Sequence, residues 1–260
     1  MLHKNRVLIS YDGKCPFGCK HCYTFSLECK ENRTIEEILS DIKHEKFDIV
    51  YVSQKNENFV NQNNGILLCE KTFECYNTDI VMITRNVLDD IYLKRLHDLS
   101  ERMKENGNQI IVAVSFISLN QPEVSERLDI VPTPQRRIEF LKKLHDLQIP
   151  NFALIRPVFP KEIIPIEDIE CLIDECKKYV NCIVASELGV NSDIKKRLGI
   201  NFDAFCSYKS NTYLNGAIDG EMKFLQLDEE MLAIAQKCEK ENIKFFTHSM
   251  QAINYICEEG

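Results

Sequence analysis

Residues 15 to 23 read Cys15-Pro16-Phe17-Gly18-Cys19-Lys20-His21-Cys22-Tyr23, which places three thiols within eight residues. A short apolar run at residues 7–11 precedes them, and its composition predicts a β-strand. Gly18 allows the backbone to bend, so the sulfur atoms can turn toward one centre. Thiolates prefer soft metal ions and iron–sulfur clusters to hard cations. The stretch therefore predicts a metal or cluster site immediately after the first strand.

The stretch offers three sulfur ligands rather than four. A closed structural zinc site has four protein ligands, so it would need a further residue such as His21 or Cys29. Neither residue belongs to a second Cys-x-x-Cys pair, which makes the closed zinc site the weaker alternative. A four-iron four-sulfur cluster held by three cysteines has one open iron, which is useful where a substrate or cofactor binds it. This favours a reactive site over a structural one.

The spacing Cys-x-x-x-Cys-x-x-Cys, followed by an aromatic residue and preceded by a strand, resembles the motif of the radical S-adenosylmethionine (SAM) superfamily. The resemblance implies that Cys15, Cys19 and Cys22 hold a [4Fe-4S] cluster with SAM on its open iron, and it assigns Tyr23 to the cofactor site. In that family an electron from the cluster cleaves SAM to methionine and a 5′-deoxyadenosyl radical. An electron donor such as flavodoxin or ferredoxin is then expected as a partner.

The composition sets wider limits on the function. The chain has 260 residues, 44% of them hydrophobic, and its net charge at pH 7 is −8. The length allows one or two domains with a sizeable core. No block of lysine and arginine forms a phosphate-binding stripe, so the charge gives no support to tight nucleic-acid binding. Twelve cysteines without a signal peptide or an apolar run of about 18 residues favour a cytoplasmic protein over a secreted or membrane protein.

Apolar segments alternate with helical patterns along the first 190 residues. We expect six strands, at 7–11, 48–53, 80–84, 109–116, 152–156 and 183–187, and Pro157 should end the fifth. Such alternation predicts a parallel sheet covered by helices. Residues 191–215 are expected to be irregular except for a short helix at 194–198. A helix at 228–241, a strand at 244–248 and a closing helix at 252–257 should follow.

The predicted fold class is therefore α/β: a partial (β/α)6 TIM-type barrel with mostly parallel strands and a short C-terminal strand and helix extension. The family resemblance implies the same fold. Because no linker or internal repeat is present, we expect one domain over residues 1–260. The barrel core would occupy residues 1–190, and residues 191–260 would close the barrel. Reactive groups in such folds gather at the carboxyl ends of the strands.

Two arginines are expected at such ends, Arg85 after the third strand and Arg156 at the end of the fifth. A guanidinium can bind a carboxylate, such as that of SAM, through two parallel hydrogen bonds, and a surface salt bridge is the alternative for each residue. A narrower resemblance covers roughly residues 79–160. Its segments are Ile83-Thr84-Arg85, Val114-Ser115-Phe116, Pro132-x-Pro134-x-Arg136-Arg137 and Ile155-Arg156-Pro157-Val158-Phe159-Pro160.

These segments resemble the spore photoproduct lyase-like branch of the superfamily. In that branch a lysine and a serine contact SAM, which by position implies Arg85 and Ser115 here. The chain departs from the pattern in two respects. Arg85 replaces the lysine, and no Gly-Gly-Glu follows the second strand, where many members bind the amino group of SAM. Gln54 or Glu57 is the expected substitute.

Substrate candidates come from the same ends of the strands. The carboxylate of Glu187 can accept two parallel N–H groups, as a guanine-like edge presents them, while a helix cap or an ion pair is the alternative. His248 could relay protons, although a lone histidine is often structural. Phe116 could stack on a flat base or pack in the core. The other candidates lie on rim loops: Asn56, Glu57, Asn191 and Tyr208.

The sequence thus predicts a radical SAM lyase that takes a hydrogen atom from a small nucleobase-like substrate and fragments it. Size and branch resemble the queuine lyase group, which implies queuine as substrate and a 7-deazaguanine base as product. The alternatives are a photoproduct-lyase-like nucleic-acid repair enzyme and a non-enzymatic zinc-binding interaction module. Five further cysteines on predicted helices are expected in the core, namely Cys69, Cys75, Cys171, Cys176 and Cys238. The roles of Cys182, Cys206 and Cys257 stay open.

Overall fold

The computed structural model describes residues 5–26, 33–53, 56–209 and 222–259. A seven-stranded sheet lies at its centre, with the strand order β1-β2-β3-β4-β5-β6-β10 and parallel pairing throughout. Its strands are β1 (Arg6–Ile9), β2 (Ile49–Val52), β3 (Asp79–Thr84), β4 (Ile110–Phe116), β5 (Asn151–Val158), β6 (Cys182–Glu187) and β10 (Lys244–Phe246). The first six strands follow chain order, so each helical crossover leads to the neighbouring strand, as the alternation predicted.

Helices connect these strands in the described part of the chain. They are α1 (Ile35–Asp41), α2 (Gln62–Tyr76), α3 (Asp90–Glu105), α4 (Pro134–Asp146), α5 (Ile166–Cys176), α6 (Ser192–Leu198), α7 (Asp228–Lys240) and α8 (Ser249–Glu259). Local sequence sets several of their ends. Thr34 begins α1 through a capping box, because its hydroxyl accepts from the Glu37 N–H and the Glu37 carboxylate accepts from the Thr34 N–H. No helix among the described residues is both long and apolar enough to cross a membrane.

The two faces of the sheet pack into different cores, because successive side chains of a strand point to opposite faces. Val50, Ile80 and Val112 belong to the core under the connecting helices. Their neighbours Tyr51 and Val81 belong to a second core, which contains three residues of α8: Ala252, Ile253 and Ile256. We call the face that α8 covers the inner face. The C-terminal helix therefore fills the interior side of the sheet.

The sheet forms a partial barrel, as predicted, and within the described ranges it is open rather than closed. Strands β1 and β10 form its two edges and do not pair with each other within the described ranges. The C-terminal segment adds β10 as a parallel neighbour of β6, with Phe245 beside Ile183. It also supplies α8 to the inner face. The predicted division of the domain at residue 190 remains a prediction.

Two local expectations were wrong. Strand β5 does not end before Pro157 but runs to Val158, because a register shift between Ile155 and Val158 places the proline at an irregularity in the ladder. The segment expected to be irregular contains part of a three-stranded antiparallel sheet with the order β7-β9-β8. Its strands are β7 (Gly189–Val190), β8 (Tyr208–Lys209) and β9 (Lys223–Leu225). Strands of two or three residues are too short to show a periodic pattern.

The remaining cysteines of the described residues differ in how far they are buried. Cys69, Cys176 and Cys238 are buried, as expected, and Cys182 is also buried. The prediction was wrong for Cys75 and Cys171, which lie on helices α2 and α5 but face solvent. Cys206 and Cys257 are half-buried.

Candidate active site

A cavity of about 440 Å³ opens where the first four parallel strands end. Its wall contains all three cysteines of the motif, Cys15, Cys19 and Cys22. Residues from the ends of the next three strands complete the wall, and those predicted from sequence are Asn56, Glu57, Arg85 and Ser115. The structure therefore brings together side chains that lie up to 100 residues apart in the sequence. A cavity of this volume is typical of small-molecule sites.

The three motif cysteines are free thiols. Cys19 is 5% exposed, and burial raises its pKa to about 12 while the nearby charge of Arg85 acts in the opposite direction. Burial also raises the pKa of Cys15, although the backbone N–H groups of Glu57 and Phe17 donate to its sulfur and partly offset this effect. Burial thus favours the protonated form of Cys15 and Cys19, and a metal or cluster bound there would require the thiolate form.

The chemistry of these donors fits a cluster better than a single metal ion. Among the described residues no group of three His, Cys, Asp or Glu side chains could hold one metal ion. A cluster makes a different demand, because three of its irons each take one thiolate. Three free thiols on the wall of one cavity supply that number of ligands. Gly18 has a φ of 56°, which confirms the expected bend of the loop.

His21 is engaged by hydrogen bonds on both ring nitrogens. Its Nδ1 lies 2.5 Å from the Ser125 hydroxyl and its Nε2 lies 3.2 Å from Nη2 of Arg85. Because arginine cannot accept, Nε2 must accept and Nδ1 must donate. Burial, together with the charges of Arg85 and Arg197, holds the pKa of His21 well below its usual range. The neutral ring is therefore occupied and does not turn toward the thiols as a fourth zinc ligand; Cys29, the other candidate, lies outside the described residues.

Arg85 takes part in a buried ionic network rather than in a surface salt bridge. Its Nε lies 3.0 Å from Oε1 of Glu126, and its Nη2 donates to the carbonyl of Arg156 at 2.9 Å. Glu126 also accepts from Nη1 of Arg137 at 3.1 Å, and the side chains of Glu126 and Arg137 are both fully buried. Arg137 donates in turn to the carbonyl of Ser115. This network fixes two predicted cofactor residues, Arg85 and Ser115, against the cavity wall.

Glu57 faces the end of β3. Its carboxylate accepts from the Thr84 hydroxyl at 2.9 Å and from the Arg85 N–H at 2.8 Å. Burial raises the pKa of Glu57 to about 7, because these hydrogen bonds only partly offset the loss of water around the carboxylate. Asn56 donates to the carbonyls of Tyr11 and Gly13, each at 3.3 Å, and so ties the loop after β2 to the loop after β1. Gln54 lies outside the described residues.

Three predicted substrate residues are engaged elsewhere. Phe116 was a wrong choice, because strand alternation directs Ser115 to the inner face and Phe116 into the opposite core, with the Arg137 guanidinium 5.0 Å from its ring centre. Asn191 caps α6 by accepting from the Ile194 N–H at 2.9 Å. Tyr208 donates to Asp203, and the Lys195 ammonium lies 4.6 Å from its ring centre.

The other predicted residues surround a second region, beside the ends of β5, β6 and β10. Arg156 shares the inner face with Leu154. Loss of water around its guanidinium and the charge of Arg6 lower the pKa of Arg156, whereas Tyr23 and Glu187 act in the opposite direction. Glu187 forms an ion pair with Lys209, and its side chain is 16% exposed. Nδ1 of His248 accepts from the Met250 N–H at 3.2 Å, and burial with the charges of Arg6 and Arg156 lowers the pKa of this histidine.

Tyr23 packs against the main core and does not line the cavity of the cysteines. Burial raises the pKa of its hydroxyl, and the neighbouring Cys22 acts in the same direction, while the charge of Arg156 acts against them. Sequence reasoning missed Glu126, Ser125 and Arg197, all of which hold the residues of the wall. Of the buried network of Arg85, Glu126 and Arg137, the sequence motifs had included both arginines. They did not indicate that Arg137 binds Glu126.

Comparisons with known proteins identify the family and the fold. The family model described as Radical SAM superfamily matches residues 9–176, which is more than half of the chain. A search of curated proteins found no match. Among solved structures, Streptococcus suis SuiB bound to S-adenosylmethionine has a TM-score of 0.60 at 14% identity, covering 93% of this chain and 50% of SuiB. AnSMEcpe with bound AdoMet has a TM-score of 0.51 at 10% identity, covering 70% of this chain and 51% of that protein.

These structural likenesses lie at low identity and concern the fold. SuiB has also been solved with its precursor peptide SuiA, and that structure gives the same TM-score of 0.60. The chain spans about half the length of each of these proteins.

Proposed function

Because the chain belongs to the radical SAM superfamily, we propose that it is a radical enzyme whose [4Fe-4S] cluster is held by Cys15, Cys19 and Cys22. The observation that carries the proposal is the position of three free thiols on the wall of one cavity at the carboxyl end of β1. When bound, the cluster and SAM supply a 5′-deoxyadenosyl radical that removes a hydrogen atom from the substrate. An electron donor such as flavodoxin or ferredoxin is proposed as the partner.

The residues of the wall have separate tasks in this proposal. The described contacts of Arg85 use Nε and Nη2, so Nη1 is left to receive the carboxylate of SAM. Ser115 offers a hydroxyl on the same wall, and Glu57 is the proposed partner of the amino group. Arg156 is proposed as a second carboxylate partner from the inner face. Glu126 keeps Arg85 in place, because it accepts from the Nε of that side chain.

For the substrate we propose a small nucleobase-like molecule that fragments after hydrogen abstraction, with queuine giving a 7-deazaguanine base as the specific reaction. The support is the ion pair of Glu187 and Lys209 at the end of β6. A carboxylate beside an ammonium offers both an acceptor and a donor to the edge of a heterocycle. A net charge of −8 gives no comparable support to a nucleic-acid repair enzyme.

The test is anaerobic. Purified protein is reconstituted with iron and sulfide, reduced with dithionite, and assayed for 5′-deoxyadenosine formed from SAM with and without queuine. The matched control for Cys19→Ala is Cys171→Ala, which removes an exposed thiol on α5. We expect cluster and 5′-deoxyadenosine to be lost in Cys19→Ala and retained in Cys171→Ala, with queuine increasing the yield.

The outcomes separate the two levels of the proposal. Failure to assemble a cluster in the unsubstituted protein would refute the radical enzyme. Cluster assembly and SAM cleavage without any effect of queuine, and without a 7-deazaguanine product, would refute the substrate and leave the enzyme class standing. Glu187→Gln should raise the KM for queuine while leaving the iron content unchanged, since the residue contacts Lys209 rather than the cysteine loop.

A further inference from the structure

Arg197 on α6 contacts the cysteine loop, which lies at least 175 residues earlier in the sequence. Its Nη1 donates to the carbonyl of Cys19 at 3.2 Å and to the carbonyl of Lys20 at 2.5 Å. Its Nη2 donates to the carbonyl of Cys22 at 2.8 Å. One guanidinium thus binds three backbone carbonyls of the loop that carries the thiols. Hydrogen bonds from a charged donor are stronger than those between neutral groups.

Arg197 is itself held in place. Its Nε lies 3.0 Å from Oδ2 of Asp193, one helical turn earlier, and its guanidinium lies 4.7 Å from the ring centre of Phe25. The side chain is 15% exposed. A planar guanidinium fixed by a carboxylate and an aromatic face loses little further freedom when it binds the carbonyls. Asp193 and Phe25 therefore hold the guanidinium of Arg197 in a defined position.

The same loop is fixed from its opposite side by Ser125. The Lys20 N–H donates to the Ser125 carbonyl at 2.8 Å, and the His21 N–H donates to the Ser125 hydroxyl at 3.1 Å. The carbonyls of these two peptide units are those of Cys19 and Lys20, which Arg197 binds. Each unit is thus held at its N–H and at its C=O. Because a peptide unit is planar, this sets the directions in which the flanking side chains leave the backbone.

We propose that Arg197 is a positioning residue for the cluster: it orients the peptide units between Cys19 and Cys22 so that both thiols face the cavity. The inference rests on the proposed cluster and extends it, because it gives the segment after β6 a part in holding the loop of β1. Arg197 also places a positive charge on the backbone of the loop that carries the sulfur ligands. A nearby cation favours the reduced, more negative state of a cluster and so raises its reduction potential.

The first experiment needs no cluster. Hydrogen–deuterium exchange of the loop is compared in the protein as purified without iron, in Arg197→Gln and in Arg95→Gln. Arg95 is a matched control, because it pairs with Glu70 on the surface of α3, far along the chain from the loop. We expect the amides of Lys20 and His21 to exchange about tenfold faster in Arg197→Gln and unchanged in Arg95→Gln. Equal exchange in all three proteins would overturn the proposal.

The second experiment uses the reconstituted protein. Iron loss to a chelator should be about 10 to 100 times faster in Arg197→Gln than in Arg95→Gln. The midpoint potential of the cluster, followed by electron paramagnetic resonance, should fall in Arg197→Gln. Arg197→Lys keeps the charge but not the planar fork, so it should restore the potential while leaving iron loss fast. An unchanged potential and unchanged iron loss in Arg197→Gln would refute the positioning role.

These readouts also separate the inference from the proposed function. If the unsubstituted protein takes up iron but shows no reaction with queuine, the substrate fails and the role of Arg197 is still measured by iron loss and potential. If no cluster assembles at all, both the radical enzyme and the positioning of a cluster are refuted. Circular dichroism of Arg197→Gln and Arg197→Lys verifies that each variant is folded before its exchange or iron loss is compared.

Discussion

Replacing Glu126 with alanine should destabilise the fold by about 3–5 kcal/mol, because the substitution leaves the buried charge of Arg137 without a partner. Both side chains are 0% exposed, and Arg137 donates to both carboxylate oxygens of Glu126. Arg85 would lose its Nε partner in the same step. The loss equals about two to three and a half powers of ten in the folding equilibrium. It is a large fraction of the roughly 5–15 kcal/mol that stabilises a typical domain.

The assay is equilibrium unfolding in urea, with Glu101→Ala as the matched control. Glu101 pairs with Lys104 on the exposed side of α3, where the two side chains are 51% and 39% exposed. Solvated pairs of this kind contribute about 0–1 kcal/mol, so the control should unfold close to the unsubstituted protein. The difference between the two losses in free energy of unfolding therefore measures how much burial increases the cost of removing one glutamate.

A double variant examines the cause. Glu126→Leu combined with Arg137→Met replaces the buried pair with apolar side chains and should recover most of the stability that Glu126→Ala loses. If Glu126→Ala costs less than about 1 kcal/mol, the charge of Arg137 is not stranded by the substitution and the reasoning is refuted. A double variant as unstable as Glu126→Ala would show that the loss comes from packing rather than from charge.

Three further predictions concern the C-terminal half of the chain. Burial and the charges of Arg6 and Arg156 lower the pKa of His248 in the folded protein. The unfolded chain therefore binds this proton more readily, and the free energy of unfolding falls as the pH drops below about 6.5. His248→Asn should reduce this pH dependence in thermal unfolding from pH 8 to pH 5. Ile253→Ala should cost about 2–5 kcal/mol in urea unfolding, because the side chain is 0% exposed. Lys209→Met should weaken queuine binding in a calorimetric titration, since it removes the cation beside Glu187.

Much of the fold could be predicted because its signals are local. Each buried strand of a parallel sheet is a short apolar run, and each helix around it has its own cap or amphipathic pattern. The cluster loop is local as well, since its three cysteines lie within eight residues. The error at Phe116 could also have been avoided from the local sequence. If Ser115 faces the cavity, the next residue on a strand must face away from it.

The residues that support the site gave no such signal. Arg197 meets Cys19 across 178 positions of the sequence, and Arg85 meets Glu126 across 41. These pairings depend on how the strands and helices are arranged, which no single window of sequence contains. Glu187 illustrates the same limit. Its place at the end of β6 was predicted, but its ion pair with Lys209 depends on a small antiparallel sheet that the sequence pattern did not indicate.

The helix on the inner face has a consequence for how such an enzyme could change over evolutionary time. Three residues of α8 pack on the inner face of the sheet, namely Ala252, Ile253 and Ile256, whereas the thiols lie on a loop near the start of the chain. Exchanging a large residue for a small one on this single helix would deepen the interior without touching a ligand of the cluster. In the proposed enzyme, the cluster ligands and the packing of the inner face therefore lie on separate parts of one chain. A change in the one would leave the residues of the other in place.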